Sequence, residues 1–198
     1  MRQDDMKVKN GDFPMPVTKE EINDARNGIF NIKLTPEKNV PKDWFPKDLR
    51  SKKILCLASS GSKEIHLLAA TGALVTVFDI SHHQLKKDEQ VAKAYNFMLS
   101  TVEGHINNLN IFKDNFFDMI FCPTSITYTP EIVAVFEECY RVLKSGGSFL
   151  FGTINPLTHE TETNLTLGNI IGGQTSVGFI IDNFYEDTSK YFATSAKK

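Results

Sequence analysis

Cysteine is scarce, and its spacing excludes the common metal and redox motifs. The 198 residues hold three cysteines, Cys56, Cys122 and Cys139, with no CxxC pair. An odd count without a secretory leader favours free thiols and a cytoplasmic setting. The opening "MRQDDMKVKNGDF" lacks the apolar centre of a signal peptide. No apolar run approaches the roughly 20 residues needed to cross a bilayer, so no membrane association is expected. Charge of one sign is also lacking. Lys and Arg number 22 against 24 Asp and Glu, a net charge of −2, and no basic stripe stands out. No nucleic-acid partner is indicated. There is no Ser-His-Asp order, no HExxH pair and no P-loop lysine. Repeats and low-complexity segments are missing too. The length suits one domain with a full core.

What is present is an alternation. Residues 1–17 are polar with Pro14 and Pro16, and read as a loose arm. Thr18 followed by Glu21 predicts a capping box opening a helix over 18–27, with Gly28 as its stop. Residues 29–52 hold three prolines and the only tryptophan, Trp44, and read as an irregular connector. Then "KILCL" (53–57) is an apolar run of strand length. A helix over 63–72, a strand over 74–79, an amphipathic helix over 82–97 and a short strand over 98–104 follow. "FFDMIFCP" is a fourth strand. Thr129 and Pro130 predict a helix start, and Gly146-Gly147 its end. "SFLFGTIN" is a fifth strand. A helix over 159–174, with Leu165, Leu167, Ile170 and Ile171 as its apolar face, precedes two last strands. The expected fold is α/β: Rossmann-like and doubly wound, a mainly parallel seven-stranded sheet with an antiparallel C-terminal hairpin and helices on both faces. Residues 1–50 form a lead packing over the cleft, and 51–198 one globular unit.

Ligands of open parallel sheets bind above the strand carboxyl ends. Those ends carry Ala58–Ser62, Asp79, Gly104-His105 and Cys122–Ser125. The loop "LASSGS" has one glycine, Gly61. Its small residues suit either a ligand cradle or a plain strand-to-helix turn. Asp79 suits a ribose, whose two hydroxyls a carboxylate can accept, or a helix cap, a role open to Ser81 as well. Ile106 could cover a purine face, with His105 beside it. Thr124, Ser125 and Tyr128 could face a substrate, whereas Thr127 or Thr129 could simply cap a helix. His82 and His83 read as surface residues, and Cys56 and Cys122 as core packing.

These residues resemble the class I S-adenosylmethionine-dependent methyltransferases. The likeness runs through "KILCLASSGS", "TVFDIS", "STVEGHI", "NFFDMIFCPTS" and "CYRVLKSGGSFLFGTINP". It extends to a bacterial branch through "ARNG", "LTP", "VPKDW" and "IGGQTSVGFIIDNFYED". The resemblance implies S-adenosylmethionine as cofactor, S-adenosylhomocysteine as product and a small-molecule methyl acceptor. It implies that Ala58, Ser59, Ser60, Gly61 and Ser62 cradle the methionine part and that Asp79, with Ile80, holds the ribose. His105 and Ile106 would flank adenine, and Cys122 and Pro123 would border the transferred methyl. Ser60 and Ser62 stand where the branch has glycine, and His105 where it has aspartate. Tyr128, His159 and Tyr185 are candidate pocket residues, and Arg26 could reach the cofactor carboxylate. The branch is longer after "NP" and before the last strand, so chain breaks are expected near 156–158 and 187–189. Two rival readings are a non-catalytic binding protein on the same scaffold and a nicotinamide-dependent oxidoreductase. A strand order of 3-2-1-4-5 closed by an antiparallel hairpin separates the methyltransferase from the latter.

Overall fold

Strand β1 (Lys53–Leu57) sends Ile54 and Cys56 into one apolar cluster and Leu55 and Leu57 into another. That alternation is the period of two of a strand buried on both faces. The computed structural model describes residues 16–59, 61–124, 131–158 and 165–198. The expectations for the arm before Pro16, for Ser60, Ser125, Thr127, Tyr128, Thr129 and Pro130, and for His159 lie outside the described residues.

The parallel strands are β1, β2 (Leu74–Asp79), β3 (Leu99–Glu103), β4 (Phe117–Cys122) and β5 (Leu143–Ile154). β6 (Ile180–Asp187) and β7 (Tyr191–Lys197) form an antiparallel hairpin paired to β5 through β7. The order across the sheet is β3-β2-β1-β4-β5-β7-β6. Helices α1 (Lys19–Arg26), α2 (Lys63–Ala70) and α3 (His82–Tyr95) bury their apolar side chains in the first cluster. Helix α4 (Ile132–Val142) buries Ile132, Val135, Phe136 and Cys139 in the second. A π-helical turn, Gly168–Gly172, runs into the short α5 (Gly173–Ser176), whose Gly173 lies against Val133 and Phe136. No helix among the described residues is long and apolar enough to cross a membrane.

The capping box of α1 is realised in both directions. Glu21 N–H donates to Thr18 Oγ1 at 3.1 Å, and Thr18 N–H to Glu21 Oε2 at 2.9 Å. Two other expectations change. Helix α4 stops at Val142, well before Gly146-Gly147, because Leu143 pairs with Phe117 and starts β5 early. The glycine pair is a kink inside β5, with Gly146 at φ +74. The last predicted helix reaches Ser176, so β6 begins at Ile180; Leu165 and Ile170 are buried, whereas Leu167 is exposed. The two places where breaks are expected, near 156–158 and 187–189, lie in turns. Asn155 turns the chain by accepting the Leu157 and Thr158 amides at 3.0 and 3.2 Å. A tight loop with Thr188 at φ +57 joins Asp187 to its partner Tyr191.

The lead is tied down along its length. Tyr95 O–H donates to Val17 O at 3.2 Å, and Lys63 pairs with Glu21 at 3.2 Å. Farther along, Leu34 crosses β5 at Gly152, and its carbonyl accepts the Thr124 amide at 3.1 Å. Trp44, 3% exposed, is a packing anchor, its ring centroid 5.1 Å from that of Tyr185.

Candidate functional site

Register places four strand ends side by side. Leu57 pairs with Phe78 and Cys56 with Phe121, so Ala58 follows beside Asp79 on one side and Pro123 on the other. Asp79 pairs with Glu103, so Gly104 comes next on the outer strand. Ala58 N–H donates to Phe78 O at 3.0 Å, and Gly104 N–H to Asp79 O at 3.1 Å. These bonds stitch the ends of β1, β2 and β3 together. A Cβ on Gly104 would run into the Phe78 ring, so only glycine fits there.

The loop after β1 is a strained turn. Ala58 sits at φ +47, outside the region most L-residues adopt, and Gly61 at φ +78. Ser62 N–H donates to Ser59 O at 3.1 Å. Ser62 is the N-cap residue of α2, yet its hydroxyl makes no cap bond. The Oγ atoms of Ser59 and Ser62 are both buried without a hydrogen-bond partner among the described residues. A buried hydroxyl left unpaired costs about 1–3 kcal/mol, so this turn carries polar capacity that the described residues do not use.

Asp79 is 9% exposed, and its Oδ1 accepts the Ser81 amide at 2.9 Å. Ser81 in turn caps α3. Of the two residues offered as its start, Ser81 is the cap, and Asp79 holds the Ser81 amide from the strand end. Ile80, 61% exposed, offers an apolar surface next to that acid. His105 is exposed and Ile106 half-buried on the second apolar cluster. α4 anchors their loop: Glu138 accepts the Leu109 amide at 2.7 Å, and Arg141 donates to Leu109 O and Phe112 O at 3.0 and 2.9 Å.

Other candidates are not brought to this edge. The Cys122 side chain is fully buried, and burial holds its thiol well above the usual range. Only the backbone of Cys122 belongs to the edge. Arg26 donates to Tyr95 O at 2.5 Å and ties α1 to α3 rather than reaching the loop. Tyr185 turns its hydroxyl to Thr35 Oγ1, 3.1 Å away, beneath the lead. His82 and His83 are exposed, and His82 pairs with Glu103 at 2.9 Å. No group of three metal-ligating side chains occurs among the described residues.

The sequence reading missed two buried residues beneath the loop, His66 on α2 and Asp88 on α3. A signal for Asp88 was there. It falls three after Leu85 and three before Val91, on the face read as apolar.

The model of a methyltransferase domain matches residues 55–151. The Bacillus subtilis (strain 168) protein described as the uncharacterized methyltransferase YbaJ is 33% identical over 223 residues, covering 92% of this chain and 87% of the relative. That match is longer than the 198-residue chain, so the relative has positions without a counterpart here. Among solved structures, an S-adenosylmethionine-dependent methyltransferase from Mesorhizobium loti superposes with a TM-score of 0.65 at 16% identity, over 79% of this chain and 95% of that one. Geranyl diphosphate C-methyltransferase from Streptomyces coelicolor A3(2), whose structure holds S-adenosyl-L-homocysteine, gives 0.69 at 10% identity, over 78% and 72%.

Proposed function

Because the chain belongs to the class I S-adenosylmethionine-dependent methyltransferases, we propose that its cofactor lies along the edge of Pro123, Ala58, Asp79 and Gly104, and that it methylates a small molecule. S-adenosylmethionine is the cofactor of this enzyme class, and S-adenosylhomocysteine is left after transfer. The observation that carries the reading is the pair of buried hydroxyls of Ser59 and Ser62, without a partner among the described residues and one strand away from the acid of Asp79. A polar ligand in that turn would restore their hydrogen bonds. In this sense the residues present fit the cofactor.

Each role follows from chemistry. The Asp79 carboxylate would accept the two ribose hydroxyls. Ser59, Ser60, Gly61 and Ser62 would receive the methionine part, with the N-terminus of α2 behind them. Ile80 and Ile106 would cover the adenine faces, with His105 at its rim. Ala58 and the backbone of Cys122 and Pro123 would border the methyl. When bound, S-adenosylmethionine supplies an electrophilic methyl on a sulfonium. The chain's contribution is to align the acceptor and keep water out, and alignment alone can supply much of a rate enhancement. The lead supports this closure, since Leu34 O is bonded to the amide of Thr124, the residue after Pro123. A small acceptor is supported by the near-balanced charge and by the small-molecule substrate named for the Streptomyces coelicolor relative.

Titration calorimetry with S-adenosylhomocysteine tests the cofactor half. Two charge-assisted hydrogen bonds of about 1.5–3 kcal/mol each predict a loss of about 100-fold or more in Asp79→Ala. Equal affinity in the wild type and this variant would sink the placement. Turnover of methyl-labelled cofactor with a small-molecule panel, against protein and nucleic-acid acceptors, tests the substrate class.

A further inference from the structure

Asp88 has no part in that reading, yet it is more deeply buried than Asp79, at 1% exposure. Both of its carboxylate oxygens lie 3.0 Å from the Gly61 amide, which donates to them. His66, fully buried, places Nε2 3.3 Å from Asp88 Oδ1 but is not aligned to donate. Neither ring nitrogen has a hydrogen-bond partner among the described residues, and the ring packs at 5.9 Å from Phe97. Cys56 of β1 is also near: burial first, and then the Asp88 charge, push its thiol up. Removing an ionised carboxylate from water costs several kcal/mol unless it is paired and hydrogen-bonded. Among the described residues the hydrogen-bond donor to Asp88 is the Gly61 amide, with the His66 ring packed beside it.

Gly61 is held on two sides by α3. Asp88 takes its amide, and the Gln84 side chain lies 3.2 Å from where a Cβ would stand. The same helix opens at Ser81, whose amide Asp79 accepts. We propose that Asp88 is a positioning residue for the cofactor: its grip on the Gly61 amide fixes the Ser59–Ser62 turn in the shape that receives the methionine part. This rests on the reading of that turn as the methionine cradle. One helix then sets the distance between the ribose and methionine parts of the cofactor, through Asp79 at its start and Asp88 about two turns in.

The test pairs calorimetry with amide NMR of Gly61, using the full chain. In Asp88→Ala the Gly61 amide proton moves upfield before any cofactor is added, and S-adenosylhomocysteine binds about tenfold more weakly or worse. Asp88→Asn keeps an oxygen acceptor, so its affinity falls between that of Asp88→Ala and the wild type. A merely packed side chain would not produce that grading. The asparagine variant is nearly isosteric and carries the test if the alanine variant fails to fold. Unchanged affinity in both variants, or an unmoved Gly61 resonance, overturns the proposal. Binding lost in Asp79→Ala but kept in both Asp88 variants overturns this proposal alone. A wild-type protein that binds no S-adenosylhomocysteine overturns the cofactor placement as well.

Discussion

Asp88 and Asp187 both hold backbone amides across long stretches of chain, but they finish the task differently. Asp187, at the tip of β6, accepts the Glu37 and Lys38 amides of the lead at 2.8 and 2.9 Å. Burial opposes its ionisation, but the Thr35 hydroxyl and those two amides outweigh it and hold the carboxyl below its ordinary range. Beside it, Tyr185 packs on Trp44 and meets Thr35. Asp88 has a single amide, an unaligned histidine and two serine hydroxyls with no partner close by. The hairpin half has unpartnered hydroxyls of its own, Thr153 and Ser195, but these lie inside strands β5 and β7 rather than at a strand end. The contrast separates a finished lock, which fastens the lead, from a turn whose buried hydroxyls have no partner among the described residues.

Gly152→Val should strain the lock most. Its side chain would collide with the Leu34 carbonyl, which is backbone and cannot rotate aside. Overpacking of this kind predicts a loss of about 3 kcal/mol in urea unfolding, together with faster proteolysis of the lead. Asp187→Asn comes next, with a loss of about 2 kcal/mol, since hydrogen bonds to a charged group weaken. It should leave S-adenosylhomocysteine affinity unchanged, in contrast to Asp88→Asn, and equal effects of the two on binding would erase the comparison. The pH dependence has a definite sign. A carboxyl depressed in the folded state contributes stability above its unfolded value of about 3.9, and that contribution fades as pH falls through the lower folded value. The stability gap between wild type and Asp187→Asn should therefore be flat near neutral pH and shrink in acid, as followed by tryptophan fluorescence. Ser59→Ala should give the smallest effect and one of opposite sign. Deleting an unpaired buried hydroxyl should stabilise the free protein by up to about 1 kcal/mol while weakening cofactor binding. A destabilised, normally binding variant would mean that the hydroxyl serves the fold instead.

Most elements were legible because their signals are local. The Thr18–Glu21 box, the apolar run of β1 and the acid closing β2 need only neighbouring residues to act. The errors arose where distant chain decided. Gly146-Gly147 has the form of a helix stop, but pairing of Leu143 with Phe117 pulled the chain into the sheet first. Arg26 and Tyr185 have suitable chemistry for a pocket, but each side chain is spent elsewhere, on a helix carbonyl and beneath the lead; Cys122 packs in the core, as its place in β4 suggested.

Periodicity and capping, which act over a few residues, determined on their own the order of strands and helices and thus the row of small and acidic residues at one end of the sheet. Tertiary structure alone decided which carboxylates leave water and what they grip. The spacing of Asp88 from Leu85 and Val91 puts it on the apolar face of α3, but how deeply it is buried depends on what β1 and α2 bring against it. The physical reason is that the cost of desolvating a charge is set by the whole surrounding shell, and the linear chain does not display that shell.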